Sequence, residues 1–260
     1  MDILADGHRF AIALSGGSDS MALALLAANW AKTRDVEVIT LTVDHRLRAE
    51  SAHEAKWVGT QMSARGIRHE ILTYKGRLPT KNIEAAAREY RYKLLCDWCR
   101  ANAVDALLVA HNSDEQAETF LMNLSRGSGV SGLAAMSERA GIGGIPVLRP
   151  LLEFKKADLQ RFLRTKHQEW IEDPMNRDER FKRVRMRGLL KRLELSPERI
   201  ALTVENMARA KEALEFYADE LLAAPLTVER LKSAPEDTAL RALAKVLIGK
   251  YHPRLSSLKT

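Results

Sequence analysis

Six consecutive residues that suit phosphate binding run from Ser15 to Ser20 and read Ser-Gly-Gly-Ser-Asp-Ser. The apolar run Phe10 to Leu14 before them predicts a buried strand, and the Ala- and Leu-rich run 19–33 after them predicts a helix. Two glycines let the backbone turn tightly and approach a phosphate, and the helix N terminus presents free N–H groups to an anion. Asp19 would repel a phosphate, so we expect it to hold a Mg²⁺ ion that bridges to the phosphates.

This loop differs from two other phosphate-binding loops. It lacks the terminal Lys-Ser/Thr of a Walker loop and the three spaced glycines of a dinucleotide-binding loop. A Gly-Gly turn in which Ser18 or Asp19 caps the helix is the alternative that needs no ligand. We predict a site for the phosphates of a nucleotide, formed by Ser15, Gly16, Gly17, Ser18, Asp19 and Ser20.

Polar residues also follow two later apolar runs. Asp44 closes the run Val36 to Val43, where it would contact a ribose hydroxyl or a metal-bound water, although an Asx turn that ends the strand explains it equally well. His111 ends the run Ala106 to Ala110, and three carboxylates follow on the next predicted helix: Asp114, Glu115 and Glu118. The helix dipole favours carboxylates at a helix N terminus, but beside a nucleotide site these carboxylates also predict binding of Mg²⁺ or of an amine substrate.

Two arginines, Arg88 and Arg91, lie three residues apart and therefore share one face of a predicted helix. Two guanidinium groups on one face suit a charge-dispersed phosphate or an adenylate leaving group. The alternative is a solvent-facing pair that is held by Glu84 and Glu89.

The elements that must position these residues alternate between short apolar runs and helical patterns. Predicted strands are 10–14, 36–43, 68–74 and 106–110, and predicted helices are 19–33, 50–65, 82–102 and 113–124. This alternation predicts an α/β fold, a Rossmann-like parallel sheet with helices on both faces, followed by a smaller helical region. Ligands bind beyond the carboxyl ends of such strands, which is where the loop, Asp44 and His111 fall.

The later chain is expected to be more helical. The Gly- and Ser-rich run 127–144 predicts a loop, helices are predicted over 155–166 and 197–223, and Pro225 and Pro235 bracket a predicted linker.

Composition favours a polyanionic partner. The 260 residues carry a net charge of +7, much of it in the segment 177–192, which holds eight basic residues against two acidic ones. Such a segment predicts contact with a phosphate backbone, and an exposed basic helix face is the alternative. The two cysteines do not make a disulfide framework, and we see no signal peptide or membrane-length apolar run, so a cytoplasmic protein is expected. The oligomeric state is not predicted.

Several segments in order resemble one known family. The loop Ser-Gly-Gly-x-Asp-Ser resembles that of the PP-loop N-type ATP pyrophosphatases, and further segments over residues 9 to 195 resemble the tRNA(Ile)-lysidine synthetase family. These segments are VDHRLR (43–48), AREYRY (87–92), HNSDEQAET (111–119), RGSG (126–129), RPLL (149–152) and DP-x-N (173–176).

The resemblance implies a two-step reaction with ATP and Mg²⁺. ATP adenylates the wobble cytidine of an isoleucine tRNA with a CAU anticodon, and the amine of free L-lysine then displaces AMP. It implies that Asp19 serves Mg²⁺ or the phosphates and that Arg91 stabilises the adenylation transition state. Lysine and ATP would be oriented by His111, Glu115 and Glu118, and tRNA or substrate would be contacted by Arg88, Arg126, Arg183 and Arg187. The family usually has Asp where this chain has Glu115, whose side chain is one methylene longer.

The resemblance also implies a domain organisation. Residues 1–195 are expected to form the PP-loop catalytic domain, and residues 196–260 a helical linker with the beginning of a small helical domain. Many family members continue further, so a truncated or unusually short member is expected.

Two other readings remain open. A PP-loop tRNA thiolase is suggested by the spacing of Cys96 and Cys99, although an iron–sulfur cluster would need at least one more ligand and the sequence has no third cysteine. A catalytically weak tRNA-binding module is suggested by Glu115 and by the short C-terminal region, but Asp19 and Arg91 argue against it.

Overall fold

A computed structural model of the chain describes residues 4, 7–44, 46, 50–74, 76, 83–172 and 182–248, with backbone only for 83–85 and 248. Parts of the sequence-predicted segments therefore lie outside the described residues, namely His45, Leu47 and Arg48 of VDHRLR, the whole of 173–176, and 177–181 of the basic segment.

The described residues form a six-stranded sheet in the order β3-β2-β1-β4-β6-β5. The strands are β1 (Arg9–Ala13), β2 (Glu37–Asp44), β3 (Arg68–Thr73), β4 (Ala106–Leu108), β5 (Arg139–Ile142) and β6 (Ile145–Leu148). Neighbouring strands are parallel except for β5, which pairs antiparallel with β6 at the sheet edge. The predicted α/β fold is confirmed.

The prediction of a loop over 127–144 is wrong for two stretches. The structure contains a short helix there and the strand β5. The strand β5 forms because Gly143 and Gly144 make a two-residue hairpin turn, with φ of 56° and 78°. Positive φ at both central residues is the geometry that lets two antiparallel strands follow directly. Gly143 and Gly144, which contribute to the loop-like composition of 127–144, therefore form the turn between β5 and β6.

Six of the described helices match the six predicted ones to within about two residues at each end. A short helix, α9, also lies in the predicted linker, where the Thr227 hydroxyl accepts a hydrogen bond from Arg230 N at 3.3 Å and caps it. The bounds are α1 (Ser18–Ala31), α2 (Ser51–Ala64), α3 (Ile83–Ala101), α4 (Ser113–Leu124), α5 (Val130–Leu133), α6 (Lys156–Thr165), α7 (Lys182–Arg192), α8 (Pro197–Leu222), α9 (Val228–Ser233) and α10 (Glu236–Ile248).

Apolar side chains cover both faces of the sheet. Phe10 and Ile12 of β1 pack in one cluster with α1 and α6, whereas Ala11 between them packs in the other with Leu95 of α3. This alternation follows from the two-residue period of a strand. With helices burying both faces, ligand-binding residues are left to the strand ends.

The chain divides into two compact units. One comprises 1–116 and 137–185, and the other comprises 117–136 and 186–260. The second unit has its own core, formed by residues of α4, α7 and α8 such as Leu121, Leu190 and Val204. The expected domain boundary after residue 195 remains a prediction. None of the described helices is long and apolar enough to span a membrane.

Candidate active site

The phosphate loop of the first unit is held by its own hydroxyl groups. Ser20 Oγ accepts a hydrogen bond from Ser15 N at 3.1 Å and donates one to Gly17 O at 3.0 Å. Gly16 has a φ of 84°, and a Cβ atom there would come within 2.8 Å of Ile171 and Val58 side-chain carbons. The first loop glycine is therefore required by both backbone conformation and space.

Gly17 occupies the N-cap position of α1, and no side chain caps this helix. The alternative in which Ser18 or Asp19 caps the helix is therefore wrong. Because the first N–H groups of a helix have no partner within the helix, the start of α1 is suited to bind an anion.

Asp19, in the first turn of α1, is largely buried and lies among polar groups. Its Oδ1 accepts a hydrogen bond from Ser18 Oγ at 3.2 Å, and its Oδ2 lies 3.6 Å from the ammonium of Lys156. Burial raises the pKa of the Asp19 carboxyl, although Lys156 and Ser18 oppose that rise. A carboxylate in this setting is stabilised by a nearby cation.

A cleft of about 330 Å³ opens at the carboxyl ends of the strands. Its volume is in the range of small-ligand sites. Nine of the candidate site residues predicted from the sequence line this cleft. They are Ser15, Gly17, Asp19, Ser20, Arg88, Arg91, His111, Glu115 and Arg183.

Arg88 and Arg91 both reach this cleft from α3. Their guanidinium carbons lie 5.1 Å and 5.7 Å from the centre of the Tyr92 ring, within range of a cation–π contact. Burial lowers the pKa of Arg91, and the nearby cations Arg88 and Arg183 lower it further. The solvent-facing alternative is therefore wrong for Arg91, which concentrates positive charge in a partly dry cleft.

His111 is neutral and has a fixed tautomer. Arg149 Nε donates a hydrogen bond to His111 Nδ1 at 3.2 Å, so Nδ1 is the acceptor and Nε2 carries the proton. Burial lowers the pKa of His111 to about 3, with a further contribution from the charge of Arg149. At neutral pH this ring is a hydrogen-bond donor through Nε2.

Glu115 carries the carboxylate of the cleft wall. Its backbone N–H is capped by Asn112 Oδ1 at 3.0 Å, and its Oε1 lies 3.7 Å from the guanidinium of Arg183 on α7. A partly exposed carboxylate in this position suits an ammonium group.

A protein-family model described as a PP-loop domain matches residues 2–193. A tRNA(Ile)-lysidine synthase of Methylobacterium nodulans is 38% identical, over 91% of this chain and 73% of that protein. The chain belongs to the tRNA(Ile)-lysidine synthase family. Relatives with the same name in Wolbachia pipientis wMel and Ruegeria pomeroyi are 39% and 40% identical over 96% and 95% of this chain. The chain spans 63% of the length of each of these two relatives.

A solved structure supports the fold of this family member. The U34-tRNA thiolase NcsA of Methanococcus maripaludis superposes with a TM-score of 0.70 at 19% identity, covering 82% of this chain and 74% of that one. That protein carries a [4Fe-4S] cluster. At this identity the likeness concerns the PP-loop fold alone.

The two cysteines of this family member are packing residues of α3. Both are buried in the core, and Cys96 Sγ donates a hydrogen bond to Ile142 O at 3.2 Å. Burial raises the pKa of the Cys99 thiol to about 12, so it stays protonated. Thiols of this kind are poor metal ligands or nucleophiles, which counts against the thiolase reading.

Other predicted site residues lie elsewhere. Asp44 is buried and its Oδ1 accepts a hydrogen bond from Arg46 N at 2.9 Å, as an Asx turn requires, and it is not among the described residues that line the cleft. Glu118, Arg126 and Arg187 belong to the second unit. There Arg187 donates to the buried Glu118 Oε1 through Nε at 2.8 Å, and Arg126 is exposed. Their catalytic or tRNA-binding roles stay predictions.

Sequence reasoning missed Arg149, Asn112 and Lys156 as site residues. Arg149 lies in the RPLL segment directly after β6, and β6 is the parallel neighbour of β4, which precedes His111. The position of Arg149 directly after an apolar run could therefore have marked it as a site residue. The strand order that places Arg149 beside His111 cannot be read from the sequence. Lys156 carries no such signal.

Proposed function

We propose that this chain carries the ATP-dependent catalytic unit of a tRNA(Ile)-lysidine synthase. It adenylates the wobble cytidine of an isoleucine tRNA with a CAU anticodon and joins free L-lysine to it in the cytoplasm. The observation that carries the proposal is the convergence of the phosphate loop, Arg88, Arg91 and the Glu115 carboxylate in a single cleft.

The phosphates of ATP are assigned to the loop and the start of α1, where backbone N–H groups favour an anion. Mg²⁺ suits this site because Asp19 places a carboxylate in the first turn of α1, beside the phosphate loop. Mg²⁺ is commonly held by one or two carboxylates together with waters and substrate phosphates. When bound, the ion would neutralise phosphate charge.

Arg91 and Arg88 are assigned to the charge that develops during adenylation. The cytidine oxygen attacks the α-phosphorus, and the bond from that phosphorus to the leaving pyrophosphate breaks. Fixed guanidinium groups in a partly buried cleft stabilise such charge more strongly than groups in water. Arg91 is the more buried of the two and is assigned the larger effect.

His111 and Glu115 are assigned to the second step. The lysine amine attacks the activated carbon, the carbon–oxygen bond to AMP breaks, and the amine must lose a proton. Glu115 places a carboxylate in the cleft wall and is assigned to hold the ammonium and to accept that proton. Neutral His111 donates through Nε2 to an oxygen of the substrate or of AMP.

The tRNA is assigned to basic side chains of α7. Arg183 and Arg185 are exposed on this helix and suit contacts with phosphates, which position a nucleic acid without reading its sequence. Such contacts weaken with added salt.

The test supplies ATP, labelled lysine and bacterial tRNA, and measures AMP release together with label in RNA. We expect lysine-dependent label with the wild-type chain and none with Asp19→Asn, whose tRNA affinity should be unchanged. Asp158→Asn is the matched control, since the Asp158 side chain on α6 is 45% exposed and pairs with Arg161 one turn away at 3.1 Å. Intact tRNA binding with no label at any salt concentration would leave a tRNA-binding module as the function.

A further inference from the structure

Lys156, the first residue of α6, places its ammonium beside the phosphate loop. Its Nζ lies 3.6 Å from Asp19 Oδ2, and the two side chains are 37% and 19% exposed. The separation in sequence is large, so the pair exists only because α6 packs against α1 through apolar residues such as Leu159 and Leu163. A cation thus lies beside the carboxylate to which Mg²⁺ is assigned.

The backbone of Lys156 is anchored to the start of α4. Its N–H donates to Asp114 Oδ2 at 2.8 Å, and the Ser113 hydroxyl donates to Phe154 O at 3.0 Å. These bonds join the segment before α6 to the strand end that carries His111. The side chain of Lys156, by contrast, is a flexible four-carbon stem with three rotatable donors. Its base is fixed, and its ammonium is free to change partner.

A second donor beside Asp19 lacks an acceptor. Asn112 is fully buried, and its Oδ1 caps α4, but its Nδ2 has no hydrogen-bond partner among the described residues. The Asn112 amide nevertheless approaches the Asp19 carboxyl as a donor, outside normal hydrogen-bond geometry, and this approach lowers the pKa of that carboxyl. An unpaired buried amide is costly, and an oxygen-rich ligand beside Asp19 would satisfy it.

We propose that Lys156 is a phosphate-binding residue that contacts the pyrophosphate part of ATP. Lys156 pairs with Asp19 in the structure, and with Mg²⁺ held by the Asp19 carboxylate its ammonium would contact the β- and γ-phosphate oxygens instead. The exchange is favourable because two cations on one carboxylate repel each other, whereas phosphate oxygens nearby accept an ammonium. The inference rests on the proposed function, because it deepens the assignment of ATP to this loop.

The role has a chemical consequence. When the bond between the α-phosphorus and the bridging oxygen breaks, its electron pair stays on the leaving pyrophosphate. An ammonium at that end neutralises the added charge, and it also holds the product until release. Lys156 therefore affects binding of ATP and pyrophosphate but not binding of AMP, which lacks those phosphates.

The test compares Lys156→Met with Lys156→Arg, and with Lys166→Met as matched control. Lys166 follows the other end of α6, with its ammonium 5.9 Å from the centre of the Phe162 ring. Calorimetric titration with inorganic pyrophosphate and Mg²⁺ should show about tenfold weaker binding for Lys156→Met, the loss expected for one charge-assisted hydrogen bond. AMP affinity should be unchanged, Lys156→Arg should keep most of the pyrophosphate affinity, and Lys166→Met should equal the wild type.

Circular dichroism and a thermal melt establish that each variant is folded, and Lys156→Gln replaces the methionine variant if that variant is not. Pyrophosphate affinity unchanged in the Lys156 variants, with tighter binding of Mg²⁺, would show that Lys156 is only a counter-ion of Asp19 and would overturn the inference. Absence of tRNA-dependent pyrophosphate release by the wild type would instead overturn the proposed function, so the two failures are distinguishable.

Discussion

Arg149 donates its Nε–H to Nδ1 of His111 at 3.2 Å, and its Nη1 donates to Ser137 O at 2.6 Å. The first bond fixes which ring nitrogen of His111 carries the proton, and the second fixes the guanidinium itself. His111 and Arg149 are far apart in sequence but lie at the ends of the neighbouring strands β4 and β6. His111 supplies the imidazole ring, and Arg149 fixes the orientation of that ring.

Replacing Arg149 should therefore disturb His111 without touching the phosphate loop. In Arg149→Met the charge that helps to lower the pKa of His111 is gone, so that pKa should rise toward its ordinary value of about 6.5. We expect kcat to fall at least about tenfold because the Nε2 tautomer is no longer enforced. NMR titration of the ring and a pH–rate profile measure both effects. Arg161→Met, an exposed change on α6, is the control, and equal activity in the two variants would contradict the role of Arg149.

Acid should destabilise the first unit through two histidines. Burial lowers the pKa of His111 to about 3 and also lowers the pKa of His69, whose Nε2 is buried without a partner among the described residues. Below the unfolded value of about 6.5 the unfolded chain takes up protons that the folded chain does not, so the free energy of unfolding falls as pH falls. The loss approaches about 1.4 kcal/mol per pH unit for each group until its folded pKa is reached.

Urea unfolding at a series of pH values between about 7.5 and 5 measures this dependence. His69→Gln combined with His111→Asn should flatten it. The same slope in the double variant would place the acid sensitivity in other groups.

Gly16 should tolerate no side chain. In Gly16→Ala the alanine would have to adopt a φ of 84°, which is strained for any residue with a side chain. Its Cβ would also lie only 2.8 Å from side-chain carbons of Ile171 and Val58. Gly66→Ala is a control with a similar φ of 67° and nothing within 4 Å. We expect about 1–2 kcal/mol of destabilisation from conformation alone at Gly66 and more at Gly16, together with loss of ATP binding only at Gly16. Equal stability losses, with ATP binding retained in both variants, would show that the loop can move aside.

The sequence indicates the first four strands, the phosphate loop and His111 because short continuous apolar runs and the polar residues at their ends are local features. It does not indicate the hairpin at Gly143, because the short strands around it have no long apolar pattern. It also misses Lys156 and Arg149, since their contacts depend on which strands and helices are neighbours. Strand order and helix packing belong to the tertiary structure, which local patterns in a single sequence do not reveal.

Arg241 should be a major determinant of stability in the second unit. Its side chain is 2% exposed and donates to Glu215 and Asp237 at 2.6 Å each, which joins α8 to α10. Arg241→Met removes two charge-assisted hydrogen bonds, but Glu215 keeps its ion pair with Lys245 at 2.9 Å and both carboxylates are partly exposed, so the change should cost about 1.5–3 kcal/mol. Arg209→Met removes an exposed pair with Glu205 and should cost less than about 1 kcal/mol. Thermal or urea unfolding compares them, and similar losses would mean that the buried network contributes little.

Glu115 should separate the two chemical steps. In Glu115→Gln the cleft keeps its shape and the helix cap from Asn112, which uses the backbone N–H, but it loses the charge that holds an ammonium. We expect transfer of lysine to fall about 100-fold or more, whereas tRNA-dependent pyrophosphate release from ATP should change by less than about threefold. Glu153→Gln, an exposed change of the same chemistry before α6, is the matched control. Equal loss of both steps in Glu115→Gln would place Glu115 with the ATP site, and Arg183, 3.7 Å away, would then be its partner in holding the nucleotide.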